Sequence, residues 1–300
     1  VSDYGLPAAL ARPFVHKPIV LKSVSDFAWE FATRKGWLAP GTTIDEFQQA
    51  RHPTKVRFLQ RLQRSYVRAA RTIIAPSEYS ASLVKGWGIP AERVRVVYNA
   101  LERDAFAALP DKAAVRAELG FEAQPLLIAA GRLVAWKCFD RIIAAMPTIR
   151  AAVPTAHLVV IGDGPEREKL ARAAAAAGEM VVFTGMLPPA ALHRYLRAAD
   201  VYVQFSTYEG LPHTALEAMA ANTPVILSNV GGNVEVVTPG ESGLLVEPGD
   251  IAAFAHAVVR VLSNPNFART LASNAARALE RFSWDRLVEQ TETILREAAA

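Results

Sequence analysis

The sequence predicts an α/β protein of two doubly wound parts, the first of them incomplete. From residue 125 short apolar runs of strand length alternate with helical stretches, as in a parallel sheet covered on both faces. Residues 1–120 carry fewer strand signals, and Leu109, Pro110, Gly120 and Pro125 punctuate the stretch 106–125 between the two patterns. Charge divides at the same place. Residues 1–120 hold 18 Lys/Arg against 11 Asp/Glu, net +7, and residues 121–300 hold 15 against 18, net −3. The expected organisation is 1–120, then 121–282, then a last helix, 283–300, that packs back on the first part.

In the first part, strands are expected at 18–22, 72–75 and 94–98, and helices near 26–35, 55–70 and 78–87. Three strands are few for such a sheet. The chain opens at Val1 without Met, and VSDYGLPAALA reads as a turn already feeding a helix, so a preceding strand is expected to be missing. In the second part, strands are expected at 125–130, 157–162, 180–184, 201–205, 223–227 and 243–246. Helices fall near 139–151, 165–177, 189–198, 213–221 and 232–238, followed by helices near 250–262 and 266–281 and an amphipathic one at 284–299.

Over 300 residues, 51% hydrophobic and 21% charged describe a globular chain and exclude disorder and collagen. The lone Cys138 forms no internal disulfide, and the six histidines show no zinc spacing. The sequence contains no Asp-x-Asp pair that offers itself to a divalent ion. No run approaches the roughly 18 apolar residues of a membrane span, and no signal-peptide progression opens the chain. A cytoplasmic location is the expectation. His16, His52, His157, His193 and His256 have no partners that suggest catalysis and stay unassigned.

Between Arg51 and Arg71 the chain carries Arg51, Lys55, Arg57, Arg61, Arg64, Arg68 and Arg71 without one acidic residue. From Arg57 onward the spacing places five guanidiniums on one helical stripe, with Phe58, Leu62 and Ala69 turned elsewhere. A solvated helix face is the plainer reading. The functional reading is attraction to an anionic membrane surface, at the inner face of the membrane, or to an acidic acceptor. Nucleic acid is not expected, because no binding motif accompanies the stripe.

In an open parallel sheet, ligands bind beyond the carboxyl ends of the strands. After the strand at 125–130, GRLVAWKCFD places Arg132 on a tight turn at Gly131 and Lys137 at the mouth of the next helix, a setting for phosphate or for a plain surface turn. After the strand at 201–205 comes STYEGLPHTALEAMAANTPVI. Glu209, Gly210 and Leu211 form the turn, Pro212 stands where a first helical residue is expected, and the N–H groups of His213 and Thr214 face an anion. Glu217 lies within a helix of Thr214, Ala215, Leu216, Ala218 and Met219, and a buried carboxylate there needs a partner. The vicinal hydroxyls of a ribose are one candidate; a salt bridge to Arg194 or Arg197 is the other.

Taken together, Glu209 and Glu217 in E-x7-E spacing, GRL with Lys137, VIGDGPER at 160–167, FTG at 183–185 and GESGLLVEPGD at 240–250 resemble the family-4 retaining glycosyltransferases of the GT-B fold. PSEYSASLVKGWGIPAERVRVVYNAL resembles that family's interdomain approach. The resemblance implies a GT-B-like chain that moves a sugar from a UDP- or GDP-linked donor to a hydroxyl on a carbohydrate or lipid-linked acceptor, without metal or other cofactor. It implies that Arg132 and Lys137 neutralise the departing diphosphate, that Glu209 contacts the donor sugar and that Glu217 holds the ribose. Gly131, Gly210, Leu211, His213 and Thr214 would complete the donor site.

The chain also departs from that family. The glycine-rich loop of its early strands is absent, and KSVSDFAWE offers Ser25 and Asp26 where many members place a His before Asp. Asp26 reads as an acceptor contact or as a helix N-cap. Asn99 reads as a cleft residue or as a turn residue. Ser77 is expected to cap its helix, Gly231 and Gly232 to shape a turn, and Glu235 to bond within it. Cys138 stands where glycine commonly follows the lysine, which stiffens the loop or starts its helix earlier. Two other functions stay open: a nucleotide-sugar-binding fragment without transfer activity, and a nicotinamide dehydrogenase, for which GDGPER supplies only two of the three required glycines.

Overall fold

The computed structural model describes residues 5–15, 17–23, 25–177 and 180–300; His16 and the turn expected at residues 1–4 lie outside them. The chain divides into two compact units, one running to Ala100 and completed by Phe282–Ala300, the other Leu101–Arg281.

The first unit contains α1 (Gly5–Val15), β1 (Val20–Lys22), α2 (Phe27–Arg34), α3 (Ile44–Gln49), α4 (Thr54–Ala69), β2 (Thr72–Ala75), α5 (Glu78–Gly86) and β3 (Val94–Val96). The strands pair in parallel in the order β1-β2-β3. Helix α3 is absent from the sequence reading, although its signal is present: Thr43 and Glu46 form a reciprocal capping box. Ser77 caps α5, accepting the Ser80 N–H at 3.0 Å. The C-terminal helix, Trp284–Ala299, belongs to this unit. Its Ile294 is buried with Ile74 and Val97, and the Arg71 guanidinium donates to the Ala298 carbonyl at 2.9 Å.

Helix α4 buries Val56, Leu59, Gln63, Tyr66 and Val67, the apolar stripe of a 3.6-residue period. Arg57, Arg61 and Arg68 are exposed and Arg64 is half-buried, but one expectation for the basic stripe fails. Arg71 lies past the helix end at Ala69, so the helical stripe has four arginines and the fifth caps the C-terminal helix. Phe58, expected off that stripe, is 63% exposed, one position from Arg57. The buried positions Val56 and Leu59 bracket it, and only one stripe of the helix faces the core.

The second unit contains α6 (Asp104–Ala107), α7 (Lys112–Leu119), β4 (Leu126–Ala130), α8 (Phe139–Ala152), β5 (His157–Ile161), α9 (Arg167–Ala177), β6 (Val181–Gly185), α10 (Pro189–Ala198), β7 (Val201–Gln204), α11 (His213–Ala220), β8 (Val225–Ser228), α12 (Asn233–Val236), β9 (Leu244–Val246), α13 (Ile251–Leu262) and α14 (Pro265–Ala278). Its parallel sheet runs β6-β5-β4-β7-β8-β9. The chain winds outward from β4 through β5 to β6, then crosses to the other side of β4 to lay down β7. The strand order therefore reverses between β4 and β7, and a crevice opens at their carboxyl ends. Strands β4, β7 and β8 are buried throughout, which is why they read as unbroken apolar runs.

Residues 101–120 group with this unit, earlier in the chain than the expected boundary. The reason is electrostatic. Lys112 Nζ and Arg116 Nη1 of α7 bind Asp200 at 2.7 and 2.9 Å, and Asp200 also accepts the Leu126 N–H at 2.8 Å. Burial pushes the Asp200 carboxyl up, but these partners together hold it below its ordinary range. Among the described residues, no helix is long and apolar enough to cross a membrane.

Candidate functional site

The loops that leave β4 and β5 are pressed together main chain to main chain. Gly131 N–H donates to Ile161 O at 2.9 Å and Leu133 N–H to Asp163 O at 2.8 Å. A Cβ on Gly162, at φ +130°, would stand 2.0 Å from Gly131 O, and one on Gly164 would stand 2.4 Å from Leu133 O. Only glycine permits that approach. A single 3-10 turn, Ala135–Lys137, then leads into α8 through Cys138, which takes a left-handed conformation at φ +49°. The expectation for this residue resolves in that conformation: α8 starts after Cys138, not before it.

The loop leaving β7 meets this one. Thr207 N–H donates to Trp136 O at 2.8 Å, and Lys137 Nζ lies 2.6 Å from Glu209 Oε1. Ser206, fully buried, donates to the same oxygen at 2.6 Å. Glu209 is thus a buried carboxylate held by one cation and one hydroxyl. Arg132 lies over the Trp136 ring, 5.5 Å from its centroid. Beside these loops is a cavity of about 630 Å³ lined by Gly131, Arg132, Gly162, Asp163, Met186 and Thr214, among others.

Gly210 lies under Gly232, whose N–H donates to Glu209 O at 2.8 Å; a Cβ on Gly232 would stand 2.2 Å from Gly210 O. Gly231 adopts φ +50°, and the Glu235 N–H donates to Gly232 O at 3.2 Å. Leu211 is buried. Pro212 caps α11 and does not start it. At φ −81° and ψ +80° it forms an inverse γ-turn in which the His213 N–H donates to Leu211 O at 3.0 Å. The expected free amide of His213 is therefore occupied. The first helical bond runs from Leu216 N–H to Pro212 O, which leaves the N–H groups of Thr214 and Ala215 without an intrahelical acceptor.

Glu217 sits one turn after Thr214, half-buried, and its partner is neither Arg194 nor Arg197. Arg194 pairs with Glu118, and Arg197 donates to Phe106 O at 2.7 Å. The group facing Glu217 is His193, with Nε2 3.6 Å from Oε1. Burial pushes the Glu217 carboxyl up and His193 opposes that shift. The sequence gives no sign of this pair, because the two residues lie on different helices. Ser206 was equally hidden, although it lies three residues before Glu209 on the same turn. Tyr202, on β7, donates to Gln204 Oε1 at 3.0 Å and lies within electrostatic reach of both Glu209 and Glu217.

In the first unit, Asp26 is the N-cap of α2. Its Oδ1 accepts the Trp29 N–H at 2.9 Å and its Oδ2 accepts Gln48 Nε2 at 2.6 Å. Both oxygens are engaged and the residue is buried, so its bonds describe a cap and not an acceptor contact. Burial pushes its carboxyl up against those hydrogen bonds. Asn99, three residues beyond β3, is half-buried. Among the described residues, no group of three or more His, Cys, Asp or Glu converges as a metal site.

Two family models match the chain: "Glycosyl transferases group 1" over residues 111–278 and "Glycosyl transferase 4-like domain" over residues 2–100. An uncharacterized glycosyltransferase of Methanocaldococcus jannaschii is 34% identical over 212 residues, 68% of this chain and 54% of that protein. A D-inositol 3-phosphate glycosyltransferase of Streptomyces bingchenggensis is 32% identical over 245 residues, 77% of this chain and 54% of that protein. The chain thus spans about half the length of these relatives. Among solved structures, Anabaena HepE in complex with UDP and glucose superposes with a TM-score of 0.84 at 22% identity, covering 99% of this chain and 76% of that one. Sucrose-phosphate synthase from Thermosynechococcus elongatus superposes with a TM-score of 0.81 at 26% identity, covering 98% and 71%. These neighbours fit a GT-B fold of two Rossmann-like domains. With a family model covering more than half of its residues, the chain belongs to the group 1 glycosyltransferases.

Proposed function

We propose that this chain binds a nucleoside-diphosphate sugar at the carboxyl rim of the second unit's sheet and transfers the sugar to a hydroxyl acceptor with retention and without a metal. The observation that carries the reading is the Lys137–Glu209 pair, 2.6 Å apart where the strand order reverses. Lys137 and Arg132 neutralise the departing diphosphate, and the amides of Thr214 and Ala215 add the positive end of a helix. Fixed charges of this kind stabilise a leaving group without reorganising in the transition state. Glu209 meets the donor sugar and Glu217 the ribose. Further support comes from relatives: one of Corynebacterium glutamicum, 34% identical, is named as a GDP-mannose-dependent mannosyltransferase of a phosphatidylinositol monomannoside. The acceptor class proposed is accordingly a carbohydrate or a lipid-linked hydroxyl compound.

The test is a thermal-shift and transfer panel with UDP, GDP, UDP-glucose and GDP-mannose, each with Mg²⁺ or with EDTA. A rise in melting temperature that survives EDTA and is lost in Lys137→Ala is the expected result. Equal shifts in both proteins would remove Lys137 from the site. The span of about half the relatives' length keeps a second reading, donor binding without transfer, in play. Sugar transfer above the level of a Glu209→Ala control decides against it.

The basic face of α4 gives the same protein a peripheral membrane contact on the cytoplasmic side. The exposed Phe58 beside Arg57 and Arg61, and the exposed Leu10 and Phe14 of α1, which packs on α4, support it. Co-sedimentation with anionic but not neutral vesicles, lost in Phe58→Ser with Arg61→Ser, is the expected outcome.

A further inference from the structure

His193 projects from α10 between two other elements. Its ring lies against Phe106 of α6, with centroids 4.2 Å apart and planes inclined by 39°. Its Nε2 reaches to 3.6 Å from Glu217 Oε1 on α11, and both side chains are largely withdrawn from water, at 13% and 23% exposure. Phe106 is buried, so the stack restricts the imidazole to the plane in which one nitrogen faces the carboxylate.

The other charged groups around the pair are engaged elsewhere. On α10 itself, Arg194 pairs with Glu118 of α7, and Arg197 donates to the Phe106 carbonyl. From β7, Tyr202 faces Glu217 with a hydroxyl bonded to Gln204. From α14, Arg269 and Arg277 bond to Asn266 and Asn274 of their own helix. Strand β8, Val225–Ser228, brings no ionisable side chain. Among the described residues, His193 is the basic side chain within ion-pair distance of Glu217, a cation when its ring is protonated.

We propose that His193 is a positioning residue for donor binding, pairing with the Glu217 carboxylate and aiming it at the ribose hydroxyls of a nucleoside diphosphate. The inference rests on the donor-site reading given above. Its physical basis is a compensation. Burial favours the protonated form of Glu217, and a protonated carboxyl gives up part of its capacity to accept from a sugar diol. The imidazole gains its charge as the pH falls, which is where that loss would otherwise set in. Without His193, the loss of ribose binding moves to higher pH.

The experiment is calorimetric titration of UDP and GDP from pH 5 to pH 8 into the wild type, His193→Phe and Glu217→Gln. His193→Phe keeps a ring against Phe106 and removes the charge. Its affinity is expected to match the wild type within about threefold at pH 8 and to fall progressively below it toward pH 5, by up to about tenfold for each unit of displacement. Glu217→Gln is expected to bind weakly, with only the pH dependence that comes from the nucleotide's own terminal phosphate, which titrates at about pH 6. A His193→Phe profile parallel to that of the wild type, or an equal loss at every pH, overturns the proposal. A second measurement needs no ligand: the Glu217 carboxyl titration followed by NMR is expected to move to higher pH in His193→Phe, and an unmoved midpoint also overturns it. If the wild type binds neither nucleotide at any pH, the donor-site reading falls and takes this role with it. Binding with an unchanged pH profile removes only the role of His193.

Discussion

Lys137 Nζ stands 2.6 Å from Glu209 Oε1, joining the loop after β4 to the loop after β7 across the sheet's point of reversal. Each residue restrains the other: the carboxylate is buried and the ammonium keeps about a fifth of its side chain exposed, so the pair is short of water but reachable. A diphosphate arriving here competes with Glu209 for the same cation.

Replacing Lys137 by Met therefore acts on two properties. A charge-assisted hydrogen bond contributes about 1.5–3 kcal/mol, which corresponds to a loss of roughly 10- to 150-fold in UDP or GDP affinity. The same change strands Glu209 and lowers the melting temperature. Adding Glu209→Gln is expected to recover the melting temperature and leave the affinity low. Calorimetry and thermal unfolding of the two variants check this; recovery of affinity in the double variant contradicts it.

Asp200 anchors α7 to the second unit. Its folded carboxyl titrates below the ordinary value of about 3.9, so its stabilisation is complete above that pH and is lost as pH falls through the lowered value. Asp200→Asn leaves Arg116 buried with carbonyl partners only, and is expected to cost about 1–3 kcal/mol at pH 7. In urea titrations the gap to the wild type should close below pH 4. A constant gap across pH would mean that packing, not charge, sets the cost.

Asp26 has the opposite sign. Its carboxyl is raised by burial, so the folded state loses stability as pH climbs from about 3.9 through the raised value. Asp26→Asn keeps an oxygen for the Trp29 N–H, while Gln48 can turn its amide to accept from the new one. At pH 7 the expected order of melting temperatures is Asn above Asp above Ala, the last step reflecting a lost cap of about 0.5–2 kcal/mol. An Asn variant less stable than the wild type at pH 7 refutes the account.

Cys138 bears a left-handed backbone without being glycine. Glycine there escapes a penalty of about 1–2 kcal/mol that alanine keeps. Cys138→Gly should therefore unfold at higher denaturant than Cys138→Ala, the reverse of the order inside a helix. Equal midpoints would mean that the turn relaxes freely.

The sequence was most legible where one local rule decides the outcome. Helix α10 was expected at 189–198 and forms as Pro189–Ala198, because Pro punctuates its start and an apolar period runs through it. Arg132, Lys137, Glu209 and Glu217 could be named because all stand on strand-to-helix turns or just beyond them. What stayed hidden depends on pairing between elements. His193 gains its meaning from Phe106 and Glu217, Arg71 from the Ala298 carbonyl, and Asp200 from α7.

The backbone contacts of Gly162 on Gly131, Gly164 on Leu133 and Gly232 on Gly210 leave no side chain in the floor of the rim. If donors bind there as proposed, side chains standing beside that floor, such as Met186 and Leu187, are the ones that can vary. Such side chains can be exchanged while the platform beneath keeps its shape, whereas a side chain at any of the three glycines forces the platform apart.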